Sequence, residues 1–484
     1  MKIYDDFHDI NIAKDGLEKF EDNTKYNGTN WYFKNKTRIL IFLVATVTLM
    51  IIVSNALIFN FTVICMKRPD SDNGTSYEPI FDDTERSWLI SVVAIGTLIG
   101  TLPITVLTNR FGTRVTFCFY GIASAVAVAL TPLAVSLGFW PTCLIRIAHG
   151  LGLTASWSVF GSVISNWAEF RLTGTVVAYL SCHLQLAPMF TMPVSGFLCE
   201  SDLTWTSTYY LHGILTIAIF GLFFWFYRDS PEKHRNVSKE ELAIIRSEKQ
   251  LSSDKANNTI PYKAMFTDPC VIGVLLSAWG NILAFRLFYQ YGPIYLNEIL
   301  HYDVESTGFT AALPFLLSMI GKLVAGPLSD TLPGLTDKQR VLGFATVSQV
   351  LLALCYFGLA FTPSTNTVLA QCFYTGVLAL SGLETVGVLK SIQMLSGQYV
   401  DVLMSVNAVN ESITVFSLAL LISYLVPNKS ADEWATIFIA MGIVQVVFTV
   451  VFDLTAEVKP RYWALGKTKN NRSITDSSES SSCS

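Results

Sequence analysis

Twelve apolar segments, each about twenty residues long, leave this chain one environment in which to fold. A helix of about twenty residues crosses the roughly 30 Å hydrocarbon core of a bilayer. Inside that core every backbone N–H and C=O must be paired, and a helix does so within a single segment. The segments fall near 39–59, 88–107, 115–134, 141–163, 175–198 and 209–227, then 271–295, 308–328, 341–361, 368–389, 402–426 and 435–452. The reading is an all-α membrane protein with twelve transmembrane helices in two six-helix halves, residues 39–227 and 271–454. Between them, 228–270 is rich in Lys, Glu and Ser and reads as a cytoplasmic linker. Residues 1–38, without apolar periodicity, and the Ser-rich 455–484 read as disordered cytoplasmic tails. Only 14% of residues are charged, against about 25% in a soluble domain, which excludes a soluble enzyme. Nothing in the charge pattern points to nucleic acid.

Orientation follows from where Lys and Arg fall in the loops. With both tails and the linker in the cytoplasm, that side collects about 25 of the 33 basic residues. The other face keeps Lys67, Arg68, Arg86 and Lys429. Asn73-Gly-Thr in the first outer loop is then a glycosylation acceptor, whereas Asn27 and Asn35 in the N-tail face the cytoplasm and stay bare. Nine cysteines show no metal-ligand spacing and no C-x-x-C. Cys65 and Cys199 both fall near the outer face, as a disulfide or as two free thiols. No cleavable signal peptide is visible, and neither tail carries an acidic dileucine, which favours the plasma membrane. No hydrolase triad, phosphate-cradling loop or metal cluster is present, so neither an enzyme nor a cofactor is expected.

One embedded charge demands a reason. Arg146 lies five residues past Pro141, well inside the fourth span, where insertion scales assign a guanidinium a cost of about 2.5–3.5 kcal/mol. Such a residue faces water, a carboxylate or an anion. His149, Gly150 and Leu153 follow at i+3, i+4 and i+7 and share its face. Gly96-Thr-Leu-Ile-Gly100 and Gly150-Leu-Gly152 are small-residue faces for close helix packing.

The loop after the second span reads Asn109-Arg110-Phe111-Gly112-Thr113-Arg114, and the matching place in the second half reads Gly326-Pro-Leu-Ser-Asp330 followed by Lys338 and Arg340. A glycine turn there brings basic groups against helix C-termini and an acidic residue, a cytoplasmic gate motif. This resembles the signature loop of the major facilitator superfamily. Arg146-Ile-Ala-His-Gly150-Leu-Gly, Trp167-Ala168, Met192-Pro-Val-Ser-Gly196, Tyr209-Tyr210, Ser230-Pro-Glu-Lys-His234 with Val237-Ser-Lys-Glu-Glu241, and Tyr291-Gly-Pro-Ile-Tyr-Leu-Asn-Glu298 follow in order. Together, over roughly residues 39–464, they resemble the anion:cation symporter family that contains sialin, the sodium–phosphate cotransporters and the vesicular glutamate transporters.

That resemblance implies a transporter of a small organic or inorganic anion, driven by H+, Na+ or membrane potential, with Arg146 facing the solute path. The departures are as informative. Where vesicular glutamate transporter-like members carry a glutamate two turns below the arginine, this chain has Leu153, which rules out proton coupling through a carboxylate on that span. Their other polar positions fall on Ile58, Ile90 and Asn281. Arg286, five residues past Asn281, is rotated from it by about 140°. Glu411 in the eleventh span is a partner for Arg146 or Arg286, a protonatable coupling group, or a neutral structural glutamate. The expected solute-binding set is Arg146, His149, Asn281, Arg286 and Tyr289. His183 reads as a hydrogen-bonded core residue. Two other functions stay open: a transporter-like receptor or scaffold that no longer transports, and a facilitator of a neutral solute.

Overall fold

The protein is described here by a computed structural model covering residues 36–69, 77–169, 173–246, 261–331, 336–385, 387–396, 399–428, 430–457 and 459–464. Helices α1 (Thr37–Thr62), α2 (Asp83–Leu137), α3 (Phe139–Trp167), α4 (Thr173–Ser181), α5 (His183–Glu200) and α6 (Thr204–Phe226) come first. Two short helices, α7 (Lys239–Arg246) and α8 (Tyr262–Phe266), precede the rest. These are α9 (Pro269–Ile294), α10 (Val304–Thr331), α11 (Asp337–Phe361), α12 (Thr367–Ser381), α13 (Val388–Ser396), α14 (Val400–Leu425) and α15 (Ala431–Thr455). Strands β1 (Lys67–Pro69) and β2 (Tyr77–Pro79) form a small antiparallel pair, with Arg68 opposite Glu78. Asn73, the expected glycosylation acceptor, lies outside the described residues.

Nine helices among the described residues are long and apolar enough to cross a membrane. The other three expected spans are each broken by a turn or an interruption. The second is the first arm of α2, which turns at Gly112 (φ 81°), a backbone conformation that favours glycine. Its second arm ends at Gly138 (φ 108°), the turn into α3. The fifth is interrupted at Cys182 between α4 and α5, with Pro188 and Pro193 farther along. The tenth passes from α12 through a 3₁₀ turn, Gly382–Thr385, before α13. Other boundaries are capped as physics requires. Asp268 accepts from the Cys270 N–H with Pro269 at the first helical position, and Thr336/Gln339 and Ser430/Glu433 form capping boxes on α11 and α15.

The chain divides into two compact units. The first comprises Met1–Ala56, Ile95–Ala187 and Thr206–Asn258. Its inner helices approach closely through small residues: a Cβ on Gly96 would land on the Ile147 carbonyl, and one on Gly100 would lie 2.7 Å from Thr154 Oγ1. Phe117 packs edge-on against Phe220 and Phe223. Asn55 Nδ2 donates to Ser124 Oγ and Thr216 Oγ1, both at 3.0 Å, and so ties α1 to α2 and α6 in a buried polar knot.

Part of the expected linker belongs to this unit. Asp229 Oδ1 accepts from the Arg114 N–H at 2.8 Å, and the Trp167 indole donates to the Arg228 carbonyl. Glu241, fully buried, accepts the Arg38 N–H at 2.8 Å, placing a carboxylate at the N-terminus of α1. His234 sits against Trp167 and Phe226. Its Nδ1 accepts from the Asn236 N–H, which leaves Nε2–H to donate to the Phe226 carbonyl. Burial holds its pKa down at about 4, with Arg228 and Arg235 adding to the fall and the Phe226 carbonyl opposing it.

The second unit comprises Leu57–Ala94, Pro188–Trp205 and Thr259–Ser484. An aromatic core of Phe288, Tyr295, Tyr356, Tyr374 and Phe438 joins α9, α11, α12 and α15. At the expected outer side Cys65 and Cys199 are bonded, with Cα atoms 6.2 Å apart, fastening the end of α1 to the end of α5. Arg86 donates to Glu298 at 2.9 Å, and α5 crosses α10 where a Cβ on Gly308 would lie 2.7 Å from the Met192 carbonyl oxygen. At the opposite ends of the spans, residues after α15 fold back. Arg461 and the Trp463 indole both donate to Asp268. Burial would raise the pKa of Asp268, but these hydrogen bonds outweigh it and hold the carboxyl below its ordinary value.

Candidate functional site

In the first unit, α3 carries Arg146 and His149 one turn apart, each 1% exposed. Arg146 Nη1 donates to the Ala56 carbonyl of α1 at 2.8 Å and lies 3.5 Å from His149 Nδ1. A guanidinium can only donate, so Nδ1 accepts and the imidazole is neutral with its proton on Nε2, toward the Ala127 backbone. Tyr209 of α6 and Cys143 of α3 bear electrostatically on the same guanidinium. Tyr209 is fully buried and was legible only as half of the Tyr209-Tyr210 motif. The resulting assembly is a cation held by a carbonyl and an imidazole lone pair, dipoles that an incoming anion can replace.

In the second unit, α9 carries Asn281, Arg286 and Tyr289. The 140° separation has its expected consequence. Asn281 Nδ2 reaches the Ser381 carbonyl at the end of α12, at 3.5 Å, while Arg286 faces α14 and forms an ion pair with Glu411. Trp279 donates to Thr414 at 2.9 Å and Gln290 to the Val415 carbonyl at 3.5 Å. Positions 279, 286 and 290 therefore define the face of α9 along the α14 seam. The guanidinium carbon lies 4.9 Å from the Tyr289 ring centroid, a cation–π contact.

The gate-motif residues are placed by the turn at Gly112. Asn109 and Arg110 are exposed, with Arg110 against the Phe111 ring at 5.4 Å. Arg114 donates through Nε to the Phe224 carbonyl in the last turn of α6, at 2.7 Å. Its acidic partner, Asp229, belongs to no part of the motif and was not singled out in the sequence. Arg340 sits in the first turn of α11, its N–H bonded to the Thr336 carbonyl; the side chain of Asp330 is outside the described residues. His183 is buried and bonds the Leu180 carbonyl at 2.7 Å, as a core histidine does. Among the described residues no cluster of His, Cys, Asp or Glu has metal-holding geometry.

Comparison with known proteins adds independent findings. The sequence model of the Major Facilitator Superfamily matches residues 37–427. Sialin of Homo sapiens is 23% identical over 412 residues, covering 83% of this chain and 81% of that protein. Vesicular glutamate transporter 1 of Bos taurus is 21% identical over 384 residues, 76% of this chain and 67% of that protein. Among solved structures, the D-xylose-proton symporter superposes with a TM-score of 0.65 at 14% identity, covering 87% of this chain and 98% of that one.

Proposed function

Because this chain belongs to the major facilitator superfamily, an integral multi-pass membrane protein with the fold of that family, we propose that it is a secondary active transporter of a small organic or inorganic anion. H+ or Na+ is the coupling ion of this reading, and two six-helix halves alternate access to the solute. The observation that carries it is Arg146, a guanidinium buried in mid-span that donates to the Ala56 carbonyl and lies beside the His149 imidazole. A charge kept there at several kcal/mol has a use in recognising a carboxylate or phosphate, which its planar fork fits. A relative named for glutamate supports an anion, although Leu153 and Asn281 argue against glutamate itself as the solute here.

The membrane is a separate matter. Tails without an acidic dileucine favoured the plasma membrane, but a relative is named as vesicular, so that preference is not kept. A vesicular or lysosomal membrane stands equally with it.

The loss of family polar positions to Ile58 and Ile90, both buried, motivates a second reading, a receptor or scaffold without transport. Uptake of a panel of labelled anions by proteoliposomes, under an imposed pH or Na+ gradient, separates the two. Gradient-driven accumulation of any anion supports the transporter. Binding without accumulation favours the receptor, and uptake of neutral solutes indifferent to both gradients favours a facilitator.

A further inference from the structure

We propose that Arg286 and Glu411 form a second anion site, opened by protonation, in which Glu411 couples one proton to one negative charge of the solute. This rests on the anion-transport reading above. In the structure the Glu411 carboxylate occupies the guanidinium of Arg286 as a solute carboxylate would. The pair lies in the α9–α14 seam, which Trp279–Thr414 and Gln290–Val415 also bridge. Its side chains are 15% and 18% exposed, whereas Arg146 is 1% exposed, so this guanidinium is the more accessible of the two.

Charge balance gives the mechanism. Arg286 and ionised Glu411 sum to zero, and an anion added to them would leave a net negative charge in a medium that solvates it poorly. A proton from water on the Glu411 carboxylate makes it a neutral carboxylic acid and frees the guanidinium donors. A singly charged oxyanion, a carboxylate in the first place, then takes those donors and the site is neutral again. Release of the anion restores the ion pair, and the proton returns to water. Tyr289 and Phe285, with ring centroids 5.5 Å apart, hold the cation at 4.9 and 6.0 Å through the exchange.

Other titratable groups near the pair are differently engaged. On the same helix Tyr289 is in ring contact with the guanidinium, and Cys270 and Tyr291 are buried. On the helices packed against α9, Tyr374 of α12 lies against Phe288 and Cys372 is exposed. Glu305 of α10 and Asp432 and Glu433 of α15 stand in first turns, and Asp453 accepts from Thr346 at the other end of α15. Lys322 lies on α10 and Lys390 on α13, while α11 brings Tyr356, whose hydroxyl donates to the Ala284 carbonyl, and Arg340 in its first turn.

The test uses the full chain in proteoliposomes with labelled benzoate, gluconate, glutamate and inorganic phosphate. For one proton per monoanion, an inward gradient of one pH unit should raise accumulation about tenfold and carry no net charge. Glu411→Gln should keep anion exchange but lose the response to the pH gradient. Glu411→Asp should keep the response with a displaced pH midpoint, and Arg286→Gln should lose exchange of the anion. Retained anion exchange shows that the Gln variant is folded. Full proton stimulation in Glu411→Gln, unimpaired exchange in Arg286→Gln, or wild-type uptake driven by Na+ alone would each overturn the proposal. Uptake of none of the four anions by the wild type would instead remove the transport reading beneath it.

Discussion

Gly96→Ala is a one-methyl perturbation whose consequence can be worked from the α2–α3 crossing. A Cβ there would lie 2.9 Å from the Ile147 carbonyl carbon and 3.0 Å from Gly150 Cα, backbone atoms that flank His149. Carbon pairs settle at about 3.5–4.0 Å, so the two helices must part by roughly 0.5–1 Å. Overpacking of this kind costs about 1–3 kcal/mol, and backbone against backbone belongs at the top of that range. Alanine recovers about 1 kcal/mol of helix propensity, leaving a net loss of about 2 kcal/mol. Gly213→Ala in the same unit is the control. Its nearest foreign atom would be the Ala125 carbonyl oxygen at 3.5 Å, ordinary contact, so only the propensity gain of about 1 kcal/mol remains. Thermal unfolding of the purified protein should therefore place Gly96→Ala below the wild type and Gly213→Ala level with it or above. Equal stability of the two variants would refute the close crossing as the device that seats the Arg146 face.

Cys65→Ser should destabilise the protein by up to about 5 kcal/mol on the chain-entropy account of a 134-residue loop, read by thermal unfolding with and without reductant. Asp229→Ala removes the acceptor of the Arg114 N–H and should cost about 1.5–3 kcal/mol, the range for a hydrogen bond to a charged group, read in the same assay. His234 has a folded pKa of about 4, below its ordinary 6.5, so the folded state takes up its proton less readily than the unfolded one. Its contribution is full above pH 6.5 and declines as pH falls from 6.5 toward 4. A pH series of melting temperatures should be flatter over that window in His234→Gln than in the wild type.

How far the sequence carried depended on what each feature needed from elsewhere in the chain. Spans such as α1, α9 and α15 were legible because a run of apolar residues in a bilayer has one backbone solution. The interruptions at Cys182 and Gly382 were not, because they depend on neighbouring helices; a Cβ at Gly382, for example, would lie 2.7 Å from the Ser318 carbonyl oxygen. Glycine at 112 announced a turn, but the partner Asp229 lies more than a hundred residues away and no local pattern marks it. Docking of 228–246 hid inside a polar composition, since Val237 stands alone among polar residues and Ile245 closes a run of only four apolar ones, yet both are buried. Arg146 was legible by its cost alone. Glu411 had two candidate partners in the sequence, and only the α9–α14 seam brings it to Arg286.

The most direct test of the central claim is saturable anion uptake by proteoliposomes holding Arg146→Gln, beside Arg146→Lys and the wild type. A charge-assisted hydrogen bond is worth about 1.5–3 kcal/mol, so losing the guanidinium should lower uptake at limiting solute by about tenfold to a hundredfold. Lysine, which keeps the charge without the planar fork, should restore part of it. Uptake by Arg146→Gln equal to that of the wild type, in protein of unchanged melting temperature, would contradict the account.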